Sequence, residues 1–366
     1  MGCALRQGSG RSLGFVLLGR DIDHVFLVDR LGFVLILEAL AEGADAFRHI
    51  GHDTGNPAPA AKQQQRDDHN DQHLNPAGGH AGGLLEVSGS IRAGTGWNNG
   101  AKLLKGQRMR IATWNVNSIK ARFPTVQEVL QNIDCDVVCL QELKCETDAF
   151  PYMELEEAGW NCAVLGQKSY NGVAILSKYP LEDVTKGLST MKDDQARFIE
   201  ALVMADRPVR VGGLYLPNGN PAPGPKFDYK LEWMACLLDH ARERLKAEEP
   251  YVLCGDYNTI PTAVDCWDET KWADDALALP ETREAFRRIK NLGMADAFEI
   301  TDGRAHQYTF WDYQGGAFQK DHGIRIDHLL VSPQAADRLQ SVEIYRKARS
   351  LDKPSDHVPV IGVFED

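Results

Sequence analysis

The sequence predicts a layered α/β domain that begins near Met109 and occupies the remainder of the 366-residue chain. Two observations predict this fold class. Short apolar and β-branched runs, separated by Gly, Pro, Asn and Asp, recur throughout the region and are typical of strands. Longer segments between some of these runs carry apolar residues at helical spacing. Strands that alternate with helices in one continuous stretch are typical of sheets covered by helices.

The predicted strands begin directly after Met109, where a β-prone run leads to Asn115. Each later run has the length of a strand and is bounded by residues that favour turns. The predicted strands are residues 110–115, 136–141, 160–165, 172–177, 198–204, 209–216, 251–256, 308–311, 325–331 and 358–364.

Three segments are predicted to be helical. Residues 122–133 open at Pro124 and place Val126, Val129, Leu130 and Ile133 on one side. Residues 228–246 repeat the same pattern over a longer stretch. Residues 281–291 stop before Gly293, a residue type that commonly ends helices.

The first 108 residues have a different character. Residues 51–83 are rich in Gly, Pro, Ala, Gln, Asn and His and lack apolar periodicity, which predicts disorder. The apolar stretch 24–40 is interrupted by Asp29, Arg30 and Glu38, so it is too broken and too short to span a bilayer. We expect no membrane association. We interpret residues 1–108 as a disordered extension, or as the product of a start codon assigned too far upstream, in preference to a functional tail.

Charge and cysteine content narrow the class of protein only slightly. Residues 1–108 hold 11 basic and 11 acidic side chains, so the remaining 29 basic and 41 acidic side chains carry the whole net charge of −12. An acidic domain argues weakly against a nucleic-acid partner, but a divalent-cation site requires carboxylates. The eight cysteines show no zinc-type spacing, and Cys135 and Cys139 are predicted to be buried thiols in a protein of the reducing cytoplasm.

The most informative feature is the set of polar residues at which the predicted strands end. The side chains at strand ends can converge above a sheet, and here they are oxygen donors or imidazoles. A single Asp or Asn in such a position is more often a turn residue than a catalyst. Six such ends in one domain are difficult to explain as turns. They are Asn115 with Asn117, Gln141 with Glu142, Tyr215 with Asn218, Asp256 with Asn258, Asp327 with His328, and Asp356 with His357.

Hard carboxylate and amide oxygens, with few clustered thiols or imidazoles, are ligands that suit Mg²⁺ or Mn²⁺ better than zinc. The strand ends therefore predict a site for one of these two ions. The simpler interpretations are an Asx turn at Asp256, a solvated helix start at Glu142 and a core histidine at His357.

The same residues, in the same order, resemble the endonuclease/exonuclease/phosphatase superfamily. The residues that carry the resemblance are Asn115-Val-Asn117, Gln141-Glu142-Leu-Lys144, Tyr215-Leu-Pro-Asn218, Gly255-Asp256-Tyr-Asn258, Arg325-Ile-Asp327-His and Ser355-Asp356-His357. Two further segments, residues 171–177 and 308–313, resemble its exodeoxyribonuclease III branch. The resemblance covers residues 109–366 and none of the preceding chain.

The resemblance implies a four-layered α/β sandwich of two packed sheets flanked by helices, with the site at the ends of the central strands. It implies that Glu142 is the main metal ligand, with Asn117, Asp356 and Asn115 beside it. The implied ligand set extends to Asp256, Asn258 and His357.

The resemblance also implies catalytic roles. Asp256 resembles the residue that activates the attacking water, and Asn258 the one that positions this water and the phosphate. His357, oriented by Asp327, resembles the phosphate-binding imidazole. Tyr215 resembles the phenol that contacts the phosphate or aids the leaving group, and Asn218 lies near it.

The substrate class depends on a predicted apolar pocket. By resemblance to abasic endonucleases, Phe310 with Ile324 and Ile326 should wall a small pocket for a deoxyribose that lacks its base and has been flipped from the helix. Trp311 and Asn218 are also expected to be substrate-binding residues. The alternative is that the aromatic residues and the isoleucines are ordinary core residues. Five basic side chains could contact phosphates, but each is more simply interpreted as a solvated surface charge: Lys120, Arg122, Lys144, Lys226 and Lys230.

The preferred hypothesis is a metal-dependent DNA phosphodiesterase that cleaves at abasic sites and removes nucleotides and blocking groups from 3′ ends during base excision repair. Its expected partner is double-stranded DNA with abasic sites or 3′ ends, and we expect a monomeric, cytoplasmic protein. A lipid or small-molecule phosphodiesterase of the same fold is the second hypothesis. A catalytically inactive interaction module is the third, against which the complete set of strand-end residues argues.

Overall fold

The computed structural model describes residues 108–365 and, before them, the backbone of five short strands between residues 4 and 38. In the N-terminal part, β1 (Ala4–Arg6) pairs with β2 (Ser12–Gly14), and an antiparallel sheet contains β3 (Val16–Asp21), β4 (His24–Val28) and β5 (Val34–Glu38). The predicted disorder of residues 51–83 lies outside the described residues. The interpretation of residues 1–108 as an extension stays a prediction.

Two six-stranded sheets form the framework of the second part. The strands of the first sheet, in spatial order, are β16 (Leu339–Ile344), β17 (Val360–Glu365), β6 (Arg108–Asn115), β7 (Val137–Gln141), β9 (Val173–Ser177) and β8 (Asn161–Leu165). Those of the second are β10 (Leu181–Lys186), β11 (Phe198–Val203), β12 (Val209–Tyr215), β13 (Tyr251–Asp256), β15 (Asp327–Val331) and β14 (Ala295–Asp296).

The two sheets repeat one arrangement. Each contains one parallel pair at its centre, β6 with β7 and β12 with β13, and its other pairings are antiparallel. Asn115 and Gln141 are opposite each other at the end of the first parallel pair, and Tyr215 and Asp256 at the end of the second. Because parallel strands end at the same edge of a sheet, this register brings the predicted strand-end residues together.

The three longest helices cover the outer faces of the sheets, and two short helices pack against the layer between the sheets. The helices of this part are α1 (Phe123–Asn132), α2 (Tyr152–Glu157), α3 (Pro225–Leu245), α4 (Pro280–Lys290), α5 (Ala297–Thr301), α6 (Ala317–Lys320) and α7 (Pro333–Ala336). The three predicted helices correspond to α1, α3 and α4. Helix α3 begins at Pro225, three residues before its predicted start, and α4 begins at Pro280, one residue before its predicted start. Proline is favoured in the first helical turn, which explains both differences.

The core has three apolar layers, which confirms the predicted four-layered sandwich. Ile111 of β6 and Val211 of β12 belong to the layer between the two sheets. Val126 and Val129 of α1 pack on the outer face of the first sheet. Residues of α3 and α4, such as Leu237 and Phe286, pack on the outer face of the second. Alternation of side chains along each strand supplies both faces of a sheet at once.

The predicted strand at residues 308–311 is wrong. The segment forms only isolated bridges, in which Phe310 pairs with Ile324 and with His357. Thr309 and its neighbours instead bond to loop segments, so the apolar aromatic run reflects burial and not membership of a sheet. Strands β10, β14 and β16 were not predicted, because β10 and β16 are edge strands with many exposed residues and β14 has only two residues.

The cysteines of the described region are free, and five of them are buried, including Cys135 and Cys139, as the sequence predicts. Within residues 108–365, no helix is long and apolar enough to cross a membrane.

Candidate active site

The predicted site residues lie where the central strands of both sheets end, and several of them have an unusual backbone. Asn117, Glu142 and Asn258 all have positive φ, with values of 45°, 52° and 42°. L-residues rarely adopt this conformation, and such residues cluster at functional sites, where the surrounding structure maintains them. The chain therefore turns sharply after β6, β7 and β13, which directs the side chains that follow toward one another.

Asn115 joins the two halves of the site. Its side-chain amide donates to Oε1 of Glu142 at 2.8 Å and to Oδ2 of Asp256 at 3.0 Å. Its Oδ1 accepts the backbone N–H of Asn117 at 3.0 Å. Because both donors and the acceptor are in use, Asn115 holds a carboxylate of the first sheet at a fixed distance from one of the second.

On the side of the first sheet, side-chain oxygens of Glu142 and Asn117 lie around the ammonium group of Lys144. Nζ of Lys144 lies 3.1 Å from Oε2 of Glu142 and donates to Oδ1 of Asn117 at 2.8 Å. Nδ2 of Asn117 donates to Oδ1 of Asp356 at 3.2 Å. Burial alone would raise the pKa of Glu142, but Lys144 and the Asn115 amide lower it overall, so the carboxyl group is ionised at neutral pH.

The second group consists of Asp256, Asp327 and His357, all of which are buried. Nδ1 of His357 is 2.9 Å from Oδ2 of Asp327, and its Nε2 is 3.7 Å from Oδ2 of Asp256. Burial lowers the pKa of His357, but the charges of Asp327 and Asp256 outweigh it and raise the pKa to about 10. Burial raises the pKa of Asp256, although the nearby His357 charge opposes the shift. His357 is therefore a cation, and the carboxyl group of Asp256 that faces it, with a pKa raised to about 7, can gain or lose a proton near neutral pH.

The Asp327–His357 contact predicts a pH effect. In Asp327→Asn the main charge that raises the pKa of His357 is lost, so this pKa should fall by about 1–3 units. His357 is protonated below its pKa, so activity that needs the imidazolium should decline at a lower pH in the variant than in the wild type. The alkaline limb of the kcat profile and the imidazole NMR titration measure the shift. Asp302→Asn, which breaks the ion pair between Asp302 and the exposed Arg304, is the control. An alkaline limb that does not move would contradict the role of Asp327.

The amides after β12 and β13 form a third group. Nδ2 of Asn218 donates to Oδ1 of Asn258 at 3.1 Å, and Nδ2 of Asn258 donates to the Leu216 carbonyl at 2.9 Å. The backbone N–H of Asn258 donates to Oδ1 of Asp256 at 2.8 Å. Burial, together with the charges of Glu142 and Asp256, raises the pKa of Tyr215, so its phenol is protonated and can donate a hydrogen bond.

An apolar cluster lies directly beside His357. The Phe310 ring is 4.9 Å from the His357 ring, and Phe310 packs on a cluster that contains Ile324 and Ile326. Trp311, also predicted to be a substrate-binding residue, is fully buried in a different cluster, and its indole N–H donates to Oδ1 of Asp321. Neighbouring residues of an extended segment face opposite sides, so Phe310 and Trp311 cannot line the same pocket.

Residues 112–357 match the model of the Endonuclease/Exonuclease/phosphatase family. The chain belongs to this family. Exodeoxyribonuclease III of Haemophilus influenzae is 31% identical over 70% of this chain and 100% of that protein. The exodeoxyribonuclease of Bacillus subtilis is 30% identical over 69% of this chain and 98% of that protein.

Two solved structures of the family are also similar. A 3′–5′ exonuclease from Neisseria meningitidis has a TM-score of 0.68 and 40% identity, and an AP endonuclease from Archaeoglobus fulgidus has a TM-score of 0.68 and 33% identity. Each comparison covers 70% of this chain and 100% of the other. These comparisons confirm the family resemblance and the fold that the sequence predicts. They also confirm the predicted enzyme class, which is a hydrolase of DNA phosphodiester bonds of the exodeoxyribonuclease III type.

The family depends on divalent metal ions, and the residues present here fit such an ion. Glu142, Asn117 and Asp356 present hard oxygens, and a cationic ammonium already lies between the first two. The buried Asp327–His357 pair is less suited to an ion, because the imidazole nitrogen nearest Asp327 is used in a hydrogen bond. Asn115 also donates to carboxylates in this arrangement, which is the geometry of a supporting residue.

Sequence reasoning missed several residues of this family site. Arg122 donates to the carbonyls of Asn117 and Pro354 and to the Tyr313 hydroxyl, so it joins the loops that carry Asn117 and Asp356. Lys144 contacts two predicted metal ligands. The interpretation of Lys230 as a solvated surface charge is wrong, since the residue is fully buried. Lys230 falls at helical spacing between Phe227 and Met234, both apolar and buried, but the exposed Lys226 one turn earlier shows that this spacing alone does not identify a buried lysine.

Proposed function

We propose that this protein is an abasic-site endonuclease that also acts as a 3′–5′ exonuclease and trims 3′ ends in base excision repair. The observation that carries the proposal is the apolar cluster of Phe310, Ile324 and Ile326 beside His357. A phosphate held by His357 would place the attached sugar against these side chains. Apolar side chains can enclose a sugar without a base, whereas a base-bearing nucleotide must also bury its base.

The titratable groups support hydrolysis of a phosphodiester. The carboxylate of Asp256 can take the proton of an attacking water, and the Asn258 amide beside it can orient that water. The protonated His357 can neutralise charge on the phosphoryl oxygens, because Asp327 maintains its proton. The protonated Tyr215 phenol can donate to the phosphate or to the departing oxygen.

We propose that Glu142, Asn117 and Asp356 bind Mg²⁺ or Mn²⁺. A bound divalent ion supplies Lewis-acid stabilisation of the charge on the phosphate and the leaving oxygen. The Asn115 amide holds the ionised Glu142 by a hydrogen bond, and the Asn117 amide holds Asp356 in the same way. The ligand oxygens are therefore arranged in advance. We further propose that the protein acts as a monomer in the cytoplasm.

The relatives support two substrate types. The Archaeoglobus structure is of an AP endonuclease, and a Neisseria protein that is 40% identical is described as a 3′ phosphatase bound to a product DNA hairpin. The experiment compares three duplex oligonucleotides with Mg²⁺: one with an internal tetrahydrofuran, one with a 3′-phosphate at a nick, and an intact blunt control. We expect rapid cleavage of the first, dephosphorylation of the second, and slow degradation of the third.

The outcomes distinguish the hypotheses. Action on the 3′-phosphate without incision at tetrahydrofuran would limit the protein to 3′ ends and reject the abasic proposal. Hydrolysis of a lipid or small phosphodiester with no binding to duplex DNA at low salt would favour the second hypothesis. Phe310→Ala should reduce incision at tetrahydrofuran more than removal of the 3′-phosphate, because only the first reaction buries a flipped sugar.

A further inference from the structure

Lys230, in the second turn of α3, has an exposure of 0%. Lysine is almost never fully buried unless its charge is compensated. Here Nζ donates to the carbonyl oxygens of Asn218 at 3.1 Å, Asn258 at 2.6 Å and Ala276 at 3.1 Å. An ammonium group has three N–H donors, so every donor of Lys230 is used and each is directed at the backbone.

The three carbonyls belong to three separate segments. Asn218 follows β12, Asn258 follows β13, and Ala276 precedes α4. The first two residues also bond to each other through their side chains. One ammonium therefore fixes the backbone of both amides that border Asp256, at the edge of the sheet where the active site lies.

The loop after β12 is shaped around this lysine. Gly219 has a φ of +91°, and a Cβ there would lie 2.7 Å from Cδ of Lys230. A residue with a side chain could not pass at this distance without moving the lysine stem or the loop. The close approach shows that Lys230 and the Asn218 loop are packed as one unit.

A methionine would fill the same volume without the cost of burying a charge. Burial lowers the pKa of Lys230 to about 7, although Asp275 and Asp256 oppose the shift, which indicates how unfavourable the site is for an ammonium. Packing alone therefore does not account for a lysine here. Three carbonyls that converge on one point need a donor for each.

We propose that Lys230 is a positioning residue for the hydrolytic step, which holds the amides of Asn218 and Asn258 in register with Asp256. The inference rests on the proposed hydrolytic function of this site. Lys230 does not touch substrate, since it is buried behind the loops that it joins. Its loss acts through the amides, whose displacement by even 1 Å can lower a rate by about 10²-fold.

The test compares Lys230→Met with a matched control at the same carbonyl. Thr282 is fully buried on α4, and its Oγ1 also donates to the Ala276 carbonyl, at 2.7 Å. We expect Lys230→Met to lower kcat on the tetrahydrofuran duplex by about 10–100-fold, with the Kd for that duplex changed by less than about 3-fold. Thr282→Val should lower Tm and leave kcat within about 2-fold.

A double-mutant cycle separates positioning from a general structural effect. If Lys230 acts through Asn258, Lys230→Met should cost little further activity in an Asn258→Ala background, because coupled residues are not additive. Two outcomes would overturn the inference and leave the proposed function intact. One is that the losses of kcat in Lys230→Met and Asn258→Ala add in the double variant, and the other is that Lys230→Met folds and keeps a normal kcat while the wild type is active. A wild type inactive on every DNA substrate would overturn the inference together with the proposed function. Should Lys230→Met not fold, Lys230→Gln, which retains two N–H donors, is measured against the same criteria.

Discussion

Asp256→Asn is expected to lower kcat for incision by at least about 10³-fold while the protein still folds and binds DNA. Asp256 is 1% exposed, accepts the Asn258 N–H at Oδ1 and the Asn115 amide at Oδ2, and faces His357. Asparagine keeps the shape of the side chain but cannot take a proton from water. The charge that faces His357 is also lost, so both the base and one electrostatic partner are removed by a single change.

Single-turnover kinetics on the tetrahydrofuran duplex, with DNA affinity and Tm measured in parallel, check this result. Asp312→Asn is the matched control, because Asp312 is exposed. In the described part of the chain its Oδ1 accepts the nearby backbone N–H of Gln314. Near-normal turnover in folded Asp256→Asn would remove Asp256 from the chemistry. A fall in Tm of many degrees with weak DNA binding would instead assign it a structural role.

Glu142→Gln is expected to raise the Mg²⁺ concentration for half-maximal activity by about 10–100-fold. The ionised carboxylate supplies charge that an amide of the same shape cannot, and it also balances Lys144 at 3.1 Å. In the variant the lysine remains beside the metal ligands without its anionic partner, so a second repulsion is added. Asn117 and Asp356 should retain weak binding, and excess Mg²⁺ or Mn²⁺ should recover part of the rate.

Calorimetry with Mn²⁺ in the absence of DNA gives a readout independent of turnover. The matched control is Glu146→Gln, an exposed carboxylate four residues further along the chain. If the metal midpoint is unchanged and the plateau is normal, Glu142 is not a ligand and the ion binds elsewhere, for which the Asp256, Asp327 and His357 group is the next candidate.

The sequence predicted the architecture and the positions of most site residues, because strand periodicity and strand-end chemistry are local properties. Asn115, Glu142 and Asp256 could be placed at strand ends, but their bonds to one another depend on how two distant sheets pack. The error at residues 308–311 has the same origin. Apolar aromatic residues predict burial, and only the tertiary structure shows that Phe310 and Trp311 are buried on opposite sides.

Charged residues were the least predictable, because one sequence pattern fits both a solvated and a buried lysine. Lys226 is exposed and Lys230 is buried, although they lie one helical turn apart in α3. What distinguishes them is the presence of three backbone carbonyls around Lys230, which come from segments as much as 46 residues away. Positive φ at Glu142 was equally inaccessible, since Glu has no local preference for it, whereas Asn117 and Asn258 are of a residue type that adopts positive φ more often than most.

The order of strands in the first sheet has a consequence for how the protein becomes active during synthesis. The central strand β6 pairs with β17, the last strand of the sequence, and the second sheet is encoded entirely between β9 and β16. A nascent chain that has emerged through the second sheet therefore still lacks one of the two neighbours of β6, together with Asp356 and His357. The ribosome must deliver these segments before the complete set of predicted site residues can assemble, so we expect translation products that stop before Asp356 to lack nuclease activity.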